Sequence, residues 1–487
     1  MKLFAGLAAF FTRRIPFYWI VLLYLVLPNL PLLLSTHALG TIEHGFINVE
    51  FLLIGAAAVC LPRSAVFVLL IAEFLADFAY GVCFTYQFSL DNFLSSLRYL
   101  PLLPAARILQ GAALLAAGVL LCAVLSVLRP RLQDRRRTAL TLLAFVVLLS
   151  PIDLLGGQNP LWHKDVALIP GRVVRSPILT LGVREAAFAS VNHQSSQAKD
   201  AFMPSASAGF LSYLNERSGS GDPPDVVLIV VESWGMPLDS RLAQALTASY
   251  NDPQVTASYS VTHGAAPFSG LTVPGEAREL CQSTTGFGIL HLSSDQASRC
   301  LPALLHQRGY RNIAVHGYVG QMFYRSAWYP NLGFDQTWFS PALEKIGLPR
   351  CRGAFPGICD TAIAKWMGTS LLGSAPRGSA SGEPMFIYWV TLNSHIPVPV
   401  RPDLPDDGVC ATQPALQASA ALCSWFRLVR AVHQSVSQLA VEVHDRPTVF
   451  VLVGDHAPPF GDPQLRNQFS TTQVPYLMLT PRQPGRR

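Results

Sequence analysis

The sequence predicts two unlike parts. An N-terminal bundle of about five transmembrane helices leads into an α/β domain with a mostly parallel central sheet. Three observations carry this reading. The chain of 487 residues is 50% hydrophobic and 14% charged, against about 25% charged in an ordinary soluble domain, and the deficit is concentrated in residues 1–156. Beyond residue 224, apolar runs of strand length alternate with helical stretches, the pattern of α/β folds. Several of those runs end on a residue able to do chemistry, where open α/β sheets gather their ligands.

In the first part, apolar segments occupy roughly 15–36, 45–61, 64–85, 104–128 and 138–156. Each is near the ~20 residues that cross a bilayer, the second being short. Lys2, Arg13 and Arg14 precede the first segment. Arg63 lies between the second and third, and Arg129, Arg131, Arg135, Arg136 and Arg137 between the fourth and fifth. Basic residues in alternate loops place those loops in the cytoplasm and send everything after 156 outside. Arg98, in the loop at 86–103, fits this pattern less well. No small-residue cleavage site follows the first segment, so it reads as a retained span. Glu50, Glu73 and Asp77 fall within the spans; acids at that depth pair with polar groups between helices or meet lipid head groups. The net charge of +6 is modest and concentrated in one arginine loop, which gives no ground for nucleic-acid binding.

Residues 157–224 read as a linker. Ala186–Ser190 and Phe202–Leu214 are candidate interfacial helices, and Ser218–Pro224 is a Gly/Pro hinge. The domain at 225–487 then offers strands at Asp225–Val231, Arg311–His316, Met385–Thr391, Thr448–Val453 and Val474–Leu479. Its candidate helices are Leu301–Arg308, Thr361–Thr369 and Ala415–Val443.

The candidate site residues stand at or near the ends of these strands. Asp225–Val231 delivers Glu232. Thr448–Val453 delivers Asp455 and His456 in Gly454-Asp-His-Ala-Pro-Pro459, an acid and an imidazole suited to Zn²⁺ or, with more oxygen ligands, Mn²⁺. Met385–Leu392 leads to His395, able to bind substrate or protonate a leaving group. Ser269-Gly-Leu-Thr272-Val-Pro274-Gly-Glu276 presents a hydroxyl in a Gly/Pro-rich turn whose backbone amides can face an anion. Arg325 follows the turn His316–Gly320 and has the forked donors that suit phosphate. Among the charged residues flanking Thr272, Glu276 is the candidate supporting group. Each residue alone has an ordinary structural explanation, and only their joint placement points to a metal site. Cys281, Cys300, Cys351, Cys359, Cys410 and Cys423 all lie in the part placed outside, consistent with three disulfides in an oxidising compartment. Fifteen connectivities are open, of which pairing between neighbours is the simplest.

Apolar spans followed by Val-Glu232-Ser, Thr272, Ser394-His395 and Gly454-Asp455-His456 resemble the sulfatase-like branch of the alkaline phosphatase superfamily. Within it, the chain resembles membrane-anchored phospho-group transferases: lipoteichoic acid synthase-type phosphoglycerol transferases and lipid A phosphoethanolamine transferases. The resemblance implies one divalent metal held by Glu232, Asp455, His456 and Thr272, with Thr272 also the nucleophile. It implies that Arg325 grips phosphate and that His395 serves the leaving or accepting group. The donor would be phosphatidylglycerol or phosphatidylethanolamine, the acceptor an envelope glycan or lipid, and the location a bacterial inner membrane with the catalytic domain in the periplasm. Sulfatases carry Cys or Ser followed by x-Pro-x-Arg and convert the first residue to formylglycine. Here Thr272 cannot be so converted and Glu276 replaces the arginine, which counts against sulfate-ester hydrolysis. The Glu232-Ser-Trp sequence favours the phosphoglycerol branch and the cysteines favour the phosphoethanolamine branch. The alternatives are a membrane-anchored phosphodiesterase or phosphatase, and an inactive lipid-binding assembly protein.

Overall fold

A computed structural model describes residues 15–35, 46–85, 90–128, 130–155, 174–178, 181–182, 204–216, 223–268, 270–283, 286–373, 383–398, 408–443, 447–460 and 462–482. Lys2, Arg13, Arg14, Arg129, the candidate helix 186–190 and most of the hinge at 218–224 lie outside these residues.

The chain divides into two compact units, one holding most of the N-terminal apolar segments and the other most of the chain beyond residue 191. Among the described residues of the first unit, three helical segments are long and apolar enough to cross a membrane. They are Phe17–Leu34 (α1), Arg63–Cys83 within Arg63–Thr85 (α3), and Ala105–Val127 (α4). Among the described residues these three, and not clearly the expected five, meet the length and composition of a span. The second segment folds as Val49–Ala57 (α2), nine residues, and at 1.5 Å per residue it covers only about half of a ~30 Å hydrocarbon core. The fifth segment folds as Arg135–Leu155 (α5), which opens on three arginines and carries Pro151 and Asp153 near its far end. The acids noted in the spans turn inward. Asn48 donates through one amide nitrogen to Glu73 Oε1 at 2.8 Å and Asp77 Oδ2 at 3.0 Å, and Ser176 donates to Glu50.

The second unit is organised by a seven-stranded sheet. Its strands are β1 (Asp225–Val231), β2 (Tyr259–Pro267), β3 (Arg311–His316), β4 (Gln336–Trp338), β5 (Met385–Val390), β6 (Thr448–Gly454) and β7 (Gln473–Pro481). The order is β2-β7-β6-β1-β5-β3-β4. The run from β6 to β4 is parallel, and β7 pairs antiparallel with both β6 and β2. Every residue of β1, β5 and β6 is buried, because both faces of a parallel sheet are covered. On one face, Val226, Leu228 and Val230 join a core with Phe210, Val273 and Leu305; the alternate residues point to the other face.

Strand β2 and the short β4 escaped the sequence reading. β2 lies at a sheet edge and is half-exposed along Tyr-Ser-Val-Thr-His-Gly-Ala-Ala-Pro, so it has no buried face to impose apolar alternation. Four further helices bear on the site: Ala206–Glu216 (α6), Thr272–Cys281 (α7), Asp360–Trp366 (α8) and Ala420–Glu442 (α9). α6 overlaps the candidate 202–214 and runs two residues beyond it, and α9 lies within 415–443. The disulfides are Cys281–Cys300, Cys351–Cys359 and Cys410–Cys423, the neighbour pairing that the spacing suggested.

Candidate active site

Adjacent parallel strands β1 and β6 end level with each other, Val231 pairing with Gly454. The next residues along, Glu232 on one strand and Asp455-His456 on the other, therefore leave the sheet side by side. Their ligand atoms all lie within 4.8 Å of one another, and all three residues are buried. His456 Nε2 is 3.3 Å from Asp455 Oδ2 and 3.5 Å from Glu232 Oε1. His456 Nδ1 donates to the Ala457 carbonyl at 2.9 Å, which leaves the Nε2 lone pair to face the carboxylates.

The turn after β1 is strained to achieve this. Ser233 has φ of 55°, a left-handed conformation that costs a non-glycine residue about 1–2 kcal/mol. Its backbone N–H donates to Asp455 Oδ1 at 2.7 Å, its hydroxyl to Glu232 Oε1 at 2.8 Å, and its carbonyl accepts from Trp425 Nε1 on α9 at 2.9 Å. One residue thus ties together both carboxylates and a core helix. The next strand over helps. Thr391 accepts from the Glu232 N–H at 2.9 Å, and the Ser394 hydroxyl donates to the Glu232 carbonyl at 2.6 Å. Gly454 is required here, because a Cβ on it would lie 1.9 Å from the Trp234 carbonyl oxygen.

Thr272 is placed differently from expectation. It is the first residue of α7, not part of a turn, and Pro274 in the first helical turn fits because N–H groups there have no intrahelical partner. The Thr272 hydroxyl donates to Glu232 Oε2 at 3.1 Å. The N-terminal N–H groups of a helix and its dipole favour a negative charge at this spot. Close approach of α7 to β6 depends on Gly275, whose added Cβ would meet Asp455 Cα at 3.1 Å.

The cluster fits a divalent cation. Asp455 Oδ2 is buried with no hydrogen-bond partner, and a buried orphan acceptor is costly unless something positive fills the gap. Burial and the neighbouring Glu232 push the Asp455 carboxyl up to about 7, partly offset by His456. Burial alone would lower His456, but the two carboxylates outweigh it and raise it. Two carboxylates and an imidazole are donors suited to zinc or manganese.

Arg325, at the start of the helix Arg325–Asn331, is buried and committed to an ion pair. Its Nε and Nη2 both donate to Glu276 Oε1, at 3.0 and 2.6 Å. Glu276 Oε2 accepts from Tyr329 at 2.6 Å and Tyr388 at 3.3 Å. Arg325 Nη1 lies 3.4 Å from His316 Nε2, and His316 Nδ1 is 3.0 Å from the Val390 carbonyl. Burial and the Arg325 charge lower His316 to about 3, so the imidazole is neutral and accepts from the guanidinium. Glu276 is four residues after Thr272 on α7, so the two share a helix face, and Arg325 is held by the residue one helical turn from Thr272.

His395 sits half-buried in the turn after β5, with Nδ1 donating to the Ile396 carbonyl at 2.7 Å and the Phe355 ring edge-on at 4.6 Å. That turn is fixed by Asp360, which accepts from the Leu392 and Asn393 N–H groups at 3.1 and 2.7 Å. His395 is near the cluster through Ser394 but outside the three-residue group. Arg278 is the supporting residue that sequence reasoning passed over. Fully buried, it donates to the Gly454 carbonyl at 2.6 Å and to Asp455 O at 3.4 Å, and pairs with Glu279 at 2.6 Å. Three charges in Glu276-Ala-Arg278-Glu279 were a signal, since so charged a stretch beside a nucleophile reads as solvated only if it is exposed.

A mostly parallel sheet with a hydroxyl and three residues able to hold a metal ion gathered past the ends of its strands is an arrangement suited to an enzyme site. A model of the sulfatase family matches residues 224–486, more than half of the sequence, and the chain belongs to that family. No curated protein sequence matches the chain. Solved structures it is similar to include an alkaline phosphatase superfamily protein from Vibrio parahaemolyticus, at 15% identity and a TM-score of 0.39, covering 53% of this chain and 60% of that one. Another is the lipoteichoic acid synthase LtaP from Listeria monocytogenes, at 13% identity and 0.38, covering 54% and 66%. A third is the Streptococcus pyogenes phosphoglycerol transferase GacH in complex with sn-glycerol-1-phosphate, at 15% and 0.32, covering 56% and 74%. The chain thus spans less than two thirds of the first two.

Proposed function

We propose that this protein transfers a phosphorylated head group, phosphoglycerol or phosphoethanolamine, from a membrane phospholipid to a glycan or lipid acceptor of the cell envelope. The observation that carries the reading is the Thr272 hydroxyl, 3.1 Å from Glu232 Oε2 beside the Glu232, Asp455 and His456 cluster. Threonine in that place can form a phosphoester but cannot become a formylglycine.

Glu232, Asp455, His456 and Thr272 would hold one divalent cation, zinc or manganese. When bound, such an ion lowers the pKa of the hydroxyl and polarises the phosphoryl oxygen. Thr272 Oγ1 attacks the phosphorus of the donor as its proton leaves toward Glu232. The new Oγ1–P bond forms as the bond from phosphorus to the diacylglycerol oxygen breaks, and His395 protonates that oxygen. The second half runs in reverse, the acceptor hydroxyl giving its proton to His395 and displacing Thr272. The free N–H groups at the start of α7 and the Arg325 guanidinium face the phosphate charge. About five spans in residues 1–156, a linker to 224 and a catalytic domain at 225–487 would set this site outside a bacterial inner membrane, beside the lipid donor.

The test is to supply phosphatidylglycerol and phosphatidylethanolamine, each labelled in the head group, to the zinc- or manganese-loaded protein. One label is expected on Thr272 and then on the acceptor. Head group released into water with no label on protein or acceptor would make the protein a hydrolase.

A further inference from the structure

Glu276 has the strongest unexplained placement in the domain. It is a fully buried acid, yet its hydrogen bonds go to none of the metal-type ligands. Its Oε1 receives two N–H groups of Arg325, and its Oε2 receives the Tyr329 and Tyr388 hydroxyls. Both phenols are held well above their ordinary range, first by burial and then by Glu276, so they remain donors.

A guanidinium has five N–H donors. Nε and one N–H of Nη2 go to Glu276, and one N–H of Nη1 goes to the neutral His316. One N–H on each terminal nitrogen lies outside the bonds to Glu276 and His316, with the Tyr329 hydroxyl also beside the guanidinium. Two such donors in a fixed plane match two oxygens of a phosphoryl group. The carboxylate that takes the other edge stands one helical turn from Thr272 on α7.

We propose that Glu276 is a positioning residue: it fixes Arg325 by one edge, aided by Tyr329, Tyr388 and His316, so that the remaining pair of N–H groups meets the phosphoryl oxygens over Thr272. The inference rests on the proposed phospho-group transfer. It adds that Glu276, at the position of the sulfatase arginine, serves phosphate recognition through a second residue, not directly. Without the carboxylate, the guanidinium has no fixed edge and must be ordered by the phosphate itself.

The full-length protein in detergent, loaded with zinc, provides the test, with inorganic phosphate as the probe in calorimetry. Glu276→Gln is expected to weaken phosphate binding by about tenfold and to leave zinc affinity within about twofold. Arg325→Ala should lose at least as much, and the double variant little beyond Arg325→Ala, because both changes act on one contact. Wild-type or tighter phosphate binding by Glu276→Gln would overturn the proposal, tighter binding marking Glu276 as a rival anion. Equal loss of phosphate and zinc would overturn it too, marking a structural role. If Glu276→Gln fails to fold, Tyr329→Phe carries the test: a loss of about threefold is expected, and unchanged affinity rejects the proposal. Weakened phosphate binding in Glu276→Gln, together with a wild type that transfers no head group, would reject the transferase reading while leaving this one intact.

Discussion

Thr272 combines three circumstances that separately mean little: a hydroxyl, a helix N-terminus, and a carboxylate neighbour 3.1 Å away. Replacing it with alanine removes the hydroxyl and little else, since a small residue with good helix propensity remains at the first position of α7. Thr272→Ala is expected to reduce transfer by more than about a thousandfold, as removal of a nucleophile does, while the protein keeps its melting temperature within a few degrees. Retained transfer in a labelled-lipid assay would reject Thr272 as the nucleophile. The cluster of Glu232, Asp455 and His456 was legible in the sequence because its members directly follow buried strands. The Arg325–Glu276 pair was not, since 49 residues separate the partners and neither side chain reveals its burial. Arg325 read as a phosphate grip, and the structure shows it first of all as the partner of an acid.

At the scale of elements, α9 does more than cover the sheet. It carries Trp425 to the Ser233 carbonyl and His433 against the Trp234 ring at 4.3 Å, so it braces the strained turn that aims Glu232. Partners of this outer kind commonly set metal affinity by about 10–100-fold. Trp425→Phe keeps an aromatic side chain but loses the five-membered ring and its N–H, leaving the Ser233 carbonyl without its Trp425 donor at a cost of about 1–3 kcal/mol. We expect zinc affinity to fall by about tenfold with the fold intact, measured by competition with a chelating dye; unchanged affinity would show that the brace is redundant. The helix α7 is anchored at its other end by Cys281–Cys300, which closes a 19-residue separation. Reduction, or replacement of both cysteines by serine, should lower stability by about 2–4 kcal/mol, seen as a reduced denaturation midpoint.

For the whole molecule, buried neutral histidines impose a pH dependence. Burial, reinforced by Arg325 for His316 and by His263 for His433, lowers each to about 3. The unfolded chain takes up protons at these residues below about pH 6.5, and the folded chain does not. The unfolded state therefore binds more protons in that window, and stability rises with pH. It is fully present above about 6.5 and declines toward 3, by about 1.4 kcal/mol per pH unit for each histidine. His433→Gln should flatten the curve of unfolding free energy against pH by one proton between pH 4 and about 6. An unchanged slope would show that His433 is protonated in the folded protein. The two-unit division also belongs to this scale: three apolar helices of spanning length and a sulfatase-family domain join a membrane-compatible part to a catalytic one in a single chain.

The sequence by itself determined the α/β class and the central strands, and it offered the neighbour disulfide pairing as the simplest of those open. It also determined the three residues that converge at the ends of β1 and β6. These come from local rules: apolar runs make buried strands, and residues just past strand ends meet at one edge. Only the tertiary structure decided that Thr272 opens a helix, that Arg278 is buried beneath the Asp455 turn, and that Glu276 holds Arg325. The same structure decided that the second apolar segment folds as a nine-residue helix, too short to span. Each of these depends on what surrounds a residue in space, and burial of a charge or the start of a helix is settled by partners far along the chain.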